Sequence, residues 1–205
     1  MIDPSSLSAA DLLANRTLNT RWGVWQEHAF RYGKTDIVTL SFGEWADGDE
    51  IPVRLHSTCF AAHYLESTEC DCREQLSLAF EVISGLGKGI LVFLEQDGRD
   101  NGQVAIMRAA AYAKETGSTQ SAAYAALGYP ADARSYVGAA TVLGVLHARK
   151  VLLLTNNPRK IAALEAIGIE VRAQSITSIP KSEAARRFYR DKALEGYLIP
   201  ADHLA

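Results

Sequence analysis

Hydrophobic positions along this chain keep one spacing in its first quarter and another after residue 70. Residues 1–17 carry a weak helical pattern, with Ser6 or Ser8 as candidate cap before Ala9–Asn15. From Arg21 onward the segments shorten and fill with aromatic and β-branched residues. Trp22–Phe30, Asp36–Ser41 and Ile51–His56 read as antiparallel strands, separated by turns at Gly33-Lys34 and Ala46–Asp49.

Past residue 72 the period lengthens. Leu76, Ala79, Phe80, Ile83 and Leu86 share one helical face, and Gly85, Gly87 and Gly89 end that helix. Gly89–Leu94 is a continuous apolar run, expected as a buried strand that opens into the polar loop Glu95–Gly102. Helices are expected near 103–115, 119–127 and 135–147. Val151–Leu154 reads as a second buried strand. Asn157 then caps a helix that has Pro158 at its first position and runs to Ile167. Ile169–Arg172 reads as a strand and Ser182–Leu198 as a terminal helix. Strands first, then strands alternating with helices, predict an α/β or α+β domain.

Composition adds little and excludes several classes. The 205 residues are 48% hydrophobic and 22% charged, which describes a folded chain able to bury its own core. A net charge of -3 gives no broad basic surface for nucleic acid or anionic membrane. The apolar runs are strand-sized, too short to span a bilayer. Asp3 stands where a signal peptide carries a cation, so the expected compartment is the cytosol.

The three cysteines change the picture, because all lie between Cys59 and Cys72. A Cys70-x-Cys72 pair in extended backbone points both sulfurs to one side, and Cys59 can return across a hairpin-like excursion. Three thiolates suit zinc and leave a fourth position for water, as a catalytic site requires. A closed structural site would need another ligand, for which His56 and His63 are near in sequence. Buried thiols or redox use are the alternatives on spacing alone. Arg54, Arg99, Arg134 and Lys160 fall at or near element ends, where cations can converge on a polyphosphate. Thr155–Lys160 joins a hydroxyl and a cation to a helix N-terminus, without the Walker pattern.

Five blocks together resemble GTP cyclohydrolase II, the zinc enzyme that opens riboflavin synthesis. They are Val53–Cys59, Cys70–Leu76, Gly89–Phe93, Asp97-Gly98-Arg99 and Leu153–Lys160, and the match runs from about Trp22 to Leu198. The resemblance implies a mixed sheet with antiparallel N-terminal strands and flanking helices. It also implies a single catalytic domain over residues 21–205, with residues 1–20 as an extension. Cys59, Cys70 and Cys72 would bind one zinc ion. Arg54, Leu55, His56, Ser57, Thr58, Gln75, Asp97, Gly98, Arg99, Thr119, Thr155 and Lys160 would line the nucleotide pocket. Asp132 and Arg134 match a D-x-R pair held to act at the α-phosphate, with Asp as proton acceptor and Arg as nucleophile. Charge stabilisation by Arg134 is the simpler role, since a guanidine is hard to deprotonate. The implied reaction opens the imidazole ring of GTP with magnesium present. It releases formate and pyrophosphate, and leaves a 2,5-diamino-pyrimidinone ribosyl phosphate. The implied assembly is a homodimer.

Several positions depart from the family pattern. Arg73 replaces the glycine after the second of the paired cysteines, and Ala62-His63 and Glu69 replace Gly-Asp and Arg between the ligands. The loop usually written Q-E-G-R-x-I-G-L reads Gln96-Asp97-Gly98-Arg99-Asp100-Asn101-Gly102-Gln103. Ala110 stands for a tyrosine, with Tyr112 two residues on. Ser118–Ala123 and Gly196-Tyr197-Leu198-Ile199 also differ. Metal and phosphate positions are kept while base-side positions change. A related enzyme acting on another nucleobase or nucleotide, or deformylating incompletely, is therefore the second reading. A non-catalytic zinc-containing nucleotide-binding protein is the third.

Overall fold

The computed structural model describes residues 10–204. In chain order it contains β1 (Asp11–Thr20), β2 (Gly23–Tyr32), β3 (Thr35–Phe42), β4 (Glu50–Ser57), α1 (Phe60–Tyr64), α2 (Cys72–Leu86) and β5 (Gly89–Leu94). There follow α3 (Gln103–Thr116), α4 (Gln120–Ala126), α5 (Val137–Val145), β6 (Lys150–Leu154), α6 (Pro158–Glu165), β7 (Glu170–Gln174) and α7 (Glu183–Leu194). Short 3-10 turns cover Asp97–Asp100 and Ala201–His203. Among the described residues no helix is long and apolar enough to cross a membrane.

The chain divides into two units. One is Met1–His56, Glu74–Leu94 and Tyr136–Ser178; the other is Ser57–Arg73, Glu95–Ser135 and Ile179–Ala205. The first is a seven-stranded mixed sheet in the order β1-β2-β3-β5-β4-β6-β7. β1, β2, β3 and β5 pair antiparallel in sequence, while β4, β6 and β7 pair in parallel. Successive side chains of a strand point to opposite faces, and the core divides accordingly. Ile51, Val53, Leu55, Val151 and Leu153 join Ala139, Val142 and Leu143 of α5 and Leu164 of α6 on one face. Leu91, Leu152 and Leu154 join Ala79, Phe80 and Ile83 of α2 on the other, with Trp25 between Phe42 and Phe80.

This is the expected fold class, with two local differences. Residues 11–17, expected as helix, lie in strand β1; the candidate caps Ser6 and Ser8 fall outside the described residues. Leu12 and Leu13 are both exposed, so a helix here would have had no core to cover. What holds the segment is pairing with β2 from Asp11↔Arg31 to Thr20↔Gly23, including the Arg16–Glu27 ion pair. The second difference is β4, expected among the antiparallel strands. It lies between β5 and β6 and pairs in parallel with β6. Its residues from Ile51 to His56 are all buried, the pattern of a strand covered on both faces.

The second unit is smaller and loop-rich. Its helices α3 and α4 pack through Ala105, Ala109, Ala123 and Tyr124. The terminal helix stops at Leu194, earlier than the apolar pattern suggested.

Candidate active site

In the sheet unit, strand parity turns Arg54 and His56 to the α2 face. Arg54 is 5% exposed; its guanidinium donates to the Leu154 carbonyl at 2.8 Å and to Gln75 Oε1 at 2.5 Å. His56 is buried, with its ring edge-on to Phe93. Leu55 points the other way into the core, and its carbonyl accepts from Lys160 Nζ at 2.7 Å. Lys160 also lies 5.3 Å from the centre of the Tyr136 ring. The turn before α6 is built by its own side chains. Thr155 Oγ1 accepts from the Asn157 amide, Asn157 Oδ1 caps Arg159 N at 2.9 Å, and Asn156 ties down Ile176. Gln75, Arg54, Lys160 and Thr155 are thus fixed in place by burial and hydrogen bonding.

In the second unit, Cys59 precedes α1, Cys72 begins α2, and Cys70 lies just before it. All three sulfurs lie within 4.8 Å of one another, and Cys59 and Cys70 are 3.9 Å apart. Among the described residues no histidine joins them: His63 Nδ1 instead accepts from the Cys59 amide at 3.3 Å. Among the described residues the cluster thus offers three protein ligand atoms. Each thiol is partly buried. Contact with Cys70 favours the Cys59 thiolate, but Cys72 and burial outweigh it and push this thiol up to about 12. Cys70 is pushed up by Cys59, then by Cys72 and burial. Three converging sulfurs resist losing protons unless a cation shares the site, and soft thiolates at this spacing fit zinc.

Asp97 links this segment to the next loop, accepting from Phe60 N at 3.3 Å and from Gly98 N at 2.9 Å. Ser57 reaches the same region through Gln96, at 3.5 Å. Gly98, Arg99 and Asp100 all have left-handed backbone, with φ of 61°, 59° and 68°. At Gly98 a Cβ would meet Ile106 and the Tyr124 hydroxyl at 3.3 Å, a tight fit on a left-handed backbone, so glycine is favoured there. The Arg99 carbonyl accepts from Ala133 N at 3.0 Å, which fastens this loop to the one carrying Asp132 and Arg134. Arg134 grips Asp132 with Nε at 2.9 Å and Nη2 at 2.7 Å, a two-pronged ion pair. Its Nη2 also donates to Tyr197 Oη at 2.8 Å. Thr119 is the N-cap of α4, accepting from Ala122 N at 3.2 Å. Thr58 is half-buried between β4 and Cys59.

Comparison with known proteins identifies the family. The family model for GTP cyclohydrolase II matches residues 12–176. GTP cyclohydrolase-2 of Neisseria meningitidis is 36% identical over 182 residues, covering 88% of this chain and 92% of that protein.

The chain belongs to the GTP cyclohydrolase II family.

It is a hydrolase of that type. GTP cyclohydrolase-2 of Shewanella denitrificans is 34% identical over 93% of this chain and 94% of its own length. The riboflavin biosynthesis protein RibBA of Aquifex aeolicus is 43% identical over 78% of this chain, which spans 40% of that longer relative. A solved two-domain 3,4-dihydroxy-2-butanone 4-phosphate synthase from A. baumannii is 18% identical, with a TM-score of 0.46 over 85% of this chain and 42% of its own.

Sequence reading missed several groups that hold the candidate residues. Tyr189, fully buried on α7, donates to the carboxylate of Asp71, between two of the cysteines. Glu195 pairs with Arg99 at 2.8 Å, and Tyr197 meets Arg134. The departure at Tyr197 was visible in the sequence, but its partner 63 residues upstream was not.

Proposed function

We propose that the protein opens the imidazole ring of GTP, releasing formate and pyrophosphate and leaving a 2,5-diamino-pyrimidinone ribosyl phosphate. The observation that carries this reading is the three-thiol cluster in a chain of this family, with the forked Asp132–Arg134 pair in the same unit. Cys59, Cys70 and Cys72 would hold zinc, which when bound supplies Lewis acidity toward water and the purine. Magnesium would accompany the triphosphate.

The side chains divide the remaining work. Arg134, held flat against Asp132, presents a charged guanidinium for the α-phosphate as the bond to the leaving pyrophosphate breaks. A guanidinium in a two-pronged ion pair is a charge stabiliser rather than a neutral nucleophile. Asp132 orients it and stands as the acceptor for a proton from attacking water. Arg99 supplies a second oriented cation. Arg54, His56, Gln75, Thr155 and Lys160 are proposed to bind the nucleotide, with Leu55 contributing through its backbone. Ser57, Thr58, Asp97, Gly98 and Thr119 belong to the same proposal. The cytosol and a homodimer remain the proposed setting.

One observation favours a different base as substrate. Ala110 leaves no ring where the family pattern has tyrosine, and Tyr112 is packed against the small α3–α4 core instead. Zinc- and magnesium-supplied protein should be offered a panel of purine and pyrimidine triphosphates, with formate and pyrophosphate quantified separately. Equal yields of both from GTP support the first reading. Turnover confined to another base selects the second, and no turnover of any nucleotide at full zinc loading refutes both.

A further inference from the structure

The family model ends at residue 176, yet the segment beyond it contacts the cysteine-bearing segment and both loop arginines of the second unit. Helix α7 is capped by Ser182, whose hydroxyl accepts from Ala185 N and donates to the Thr68 carbonyl at 2.6 Å. Two turns on, Tyr189 donates to Asp71. The helix is therefore pinned to the cysteine segment at two points.

Its other end carries two side chains to the cations. Tyr197 N bonds to the Lys192 carbonyl at 3.0 Å and Gly196 N to the Ala193 carbonyl at 3.0 Å, around a left-handed Gly196 with φ of 82°. This closing turn fixes the direction of the residues flanking the glycine. Glu195 Oε2 then lies 2.8 Å from Arg99 Nη2, while its Oε1 accepts from Ser121 Oγ at 2.5 Å. Ser121 Oγ in turn accepts from Arg99 Nη1 at 2.5 Å, closing a ring of three side chains. Arg99 and Glu195 are only 9% and 17% exposed. Tyr197 shares Arg134 Nη2 with Asp132, so the guanidinium is held by both.

A carboxylate beside Arg99 opposes a polyphosphate by charge. A site that merely gathered positive charge would be weakened by it. What Glu195 does supply is a fixed guanidinium plane, and orientation within a fraction of an ångström matters more to a transition state than to binding. We infer that the C-terminal helix is the positioning element of this site, with Glu195 setting Arg99 and Tyr197 setting Arg134. That these planes serve a triphosphate rests on the function proposed above.

The test uses the full-length zinc-loaded protein and two shape-conserving variants, Glu195→Gln and Tyr197→Phe. Arginine Nε–Hε signals are recorded by NMR and assigned with Arg99→Lys and Arg134→Lys. The Arg99 signal should shift or broaden in Glu195→Gln and the Arg134 signal in Tyr197→Phe, each leaving the other in place. With GTP, kcat for pyrophosphate release should fall about 10-fold in Glu195→Gln and about 5-fold in Tyr197→Phe. KM should stay within about 3-fold, or fall in Glu195→Gln as the opposing charge goes, and zinc content should not change. A merely structural role would lower melting temperature and raise KM as kcat falls, without residue-specific signals. Unmoved signals overturn the inference, as do moved signals with turnover within about 2-fold of wild type. If wild type itself turns over no GTP, the functional reading fails, and the NMR comparison alone decides whether the two side chains position the cations.

Discussion

The two units hold their cations in different ways. In the sheet unit, Arg54 and Lys160 are buried and donate to neutral oxygens, the carbonyls of Leu154 and Leu55 and the amide of Gln75. In the second unit, Arg99 and Arg134 sit on loops and meet the carboxylates of Glu195 and Asp132. A carbonyl partner satisfies a donor and leaves its charge intact, whereas a carboxylate aligns the guanidinium and offsets part of that charge. The first arrangement suits attraction of an anion; the second suits stabilising charge at one atom. Under the proposed function, the sheet-unit cations are also structural and the loop cations chiefly chemical.

The largest expected effect that could break this contrast is at Arg134. Arg134→Lys keeps the charge and loses the fork, so pyrophosphate release should fall about 100-fold. Its melting temperature should stay within about 3 °C of wild type by calorimetry. A variant that unfolds early but retains its rate per folded molecule would reverse the assignment. Next in size is Arg54→Met, which strands the Leu154 carbonyl and the Gln75 amide oxygen in the core. About 2–4 kcal/mol of stability should be lost, or about 5–15 °C in melting temperature. A melting point unchanged to within a degree would make Arg54 a binding residue alone.

The smallest effect sharpens the picture of the second unit. Burial raises the Asp100 carboxyl pKa; Asp132 adds to the rise and Arg134 opposes it. A raised carboxyl favours the folded state below its unfolded value of about 4 and loses that contribution as pH climbs through the folded value. Asp100→Asn tolerates the same left-handed backbone and removes the cost of partly desolvating that charge. It should melt about 1 °C higher near pH 7, with the gain vanishing toward pH 4. A larger gain at acid pH would give the shift the opposite sign.

Much of this arrangement was legible in the residues, and what was not has a common cause. The unbroken apolar runs of β5 and β6, the Asn157 cap and the cysteine spacing are local signals, and each appears where expected. β1 was misread because Ala14, Asn15 and Arg16 carry no strand pattern; their conformation comes from the neighbouring strand. The parallel partner of β4 lies about 100 residues on, beyond any local signal. Glu195 and Ser121 are 74 residues apart in sequence, and neither looks unusual alone. Spacing could reveal the thiols because their own chain segment brings them together. The groups that orient the cations are assembled by the fold.

The central claim is that the three thiols hold the metal on which ring opening depends. Its most direct test is release of labelled formate from GTP radiolabelled at C8, measured as the metal-free protein is titrated with zinc. Formate release should rise in proportion to bound zinc and saturate at about one ion per chain. It should be abolished in Cys70→Ser, which should bind zinc poorly. Undiminished release from metal-free protein, or from Cys70→Ser, would contradict the account.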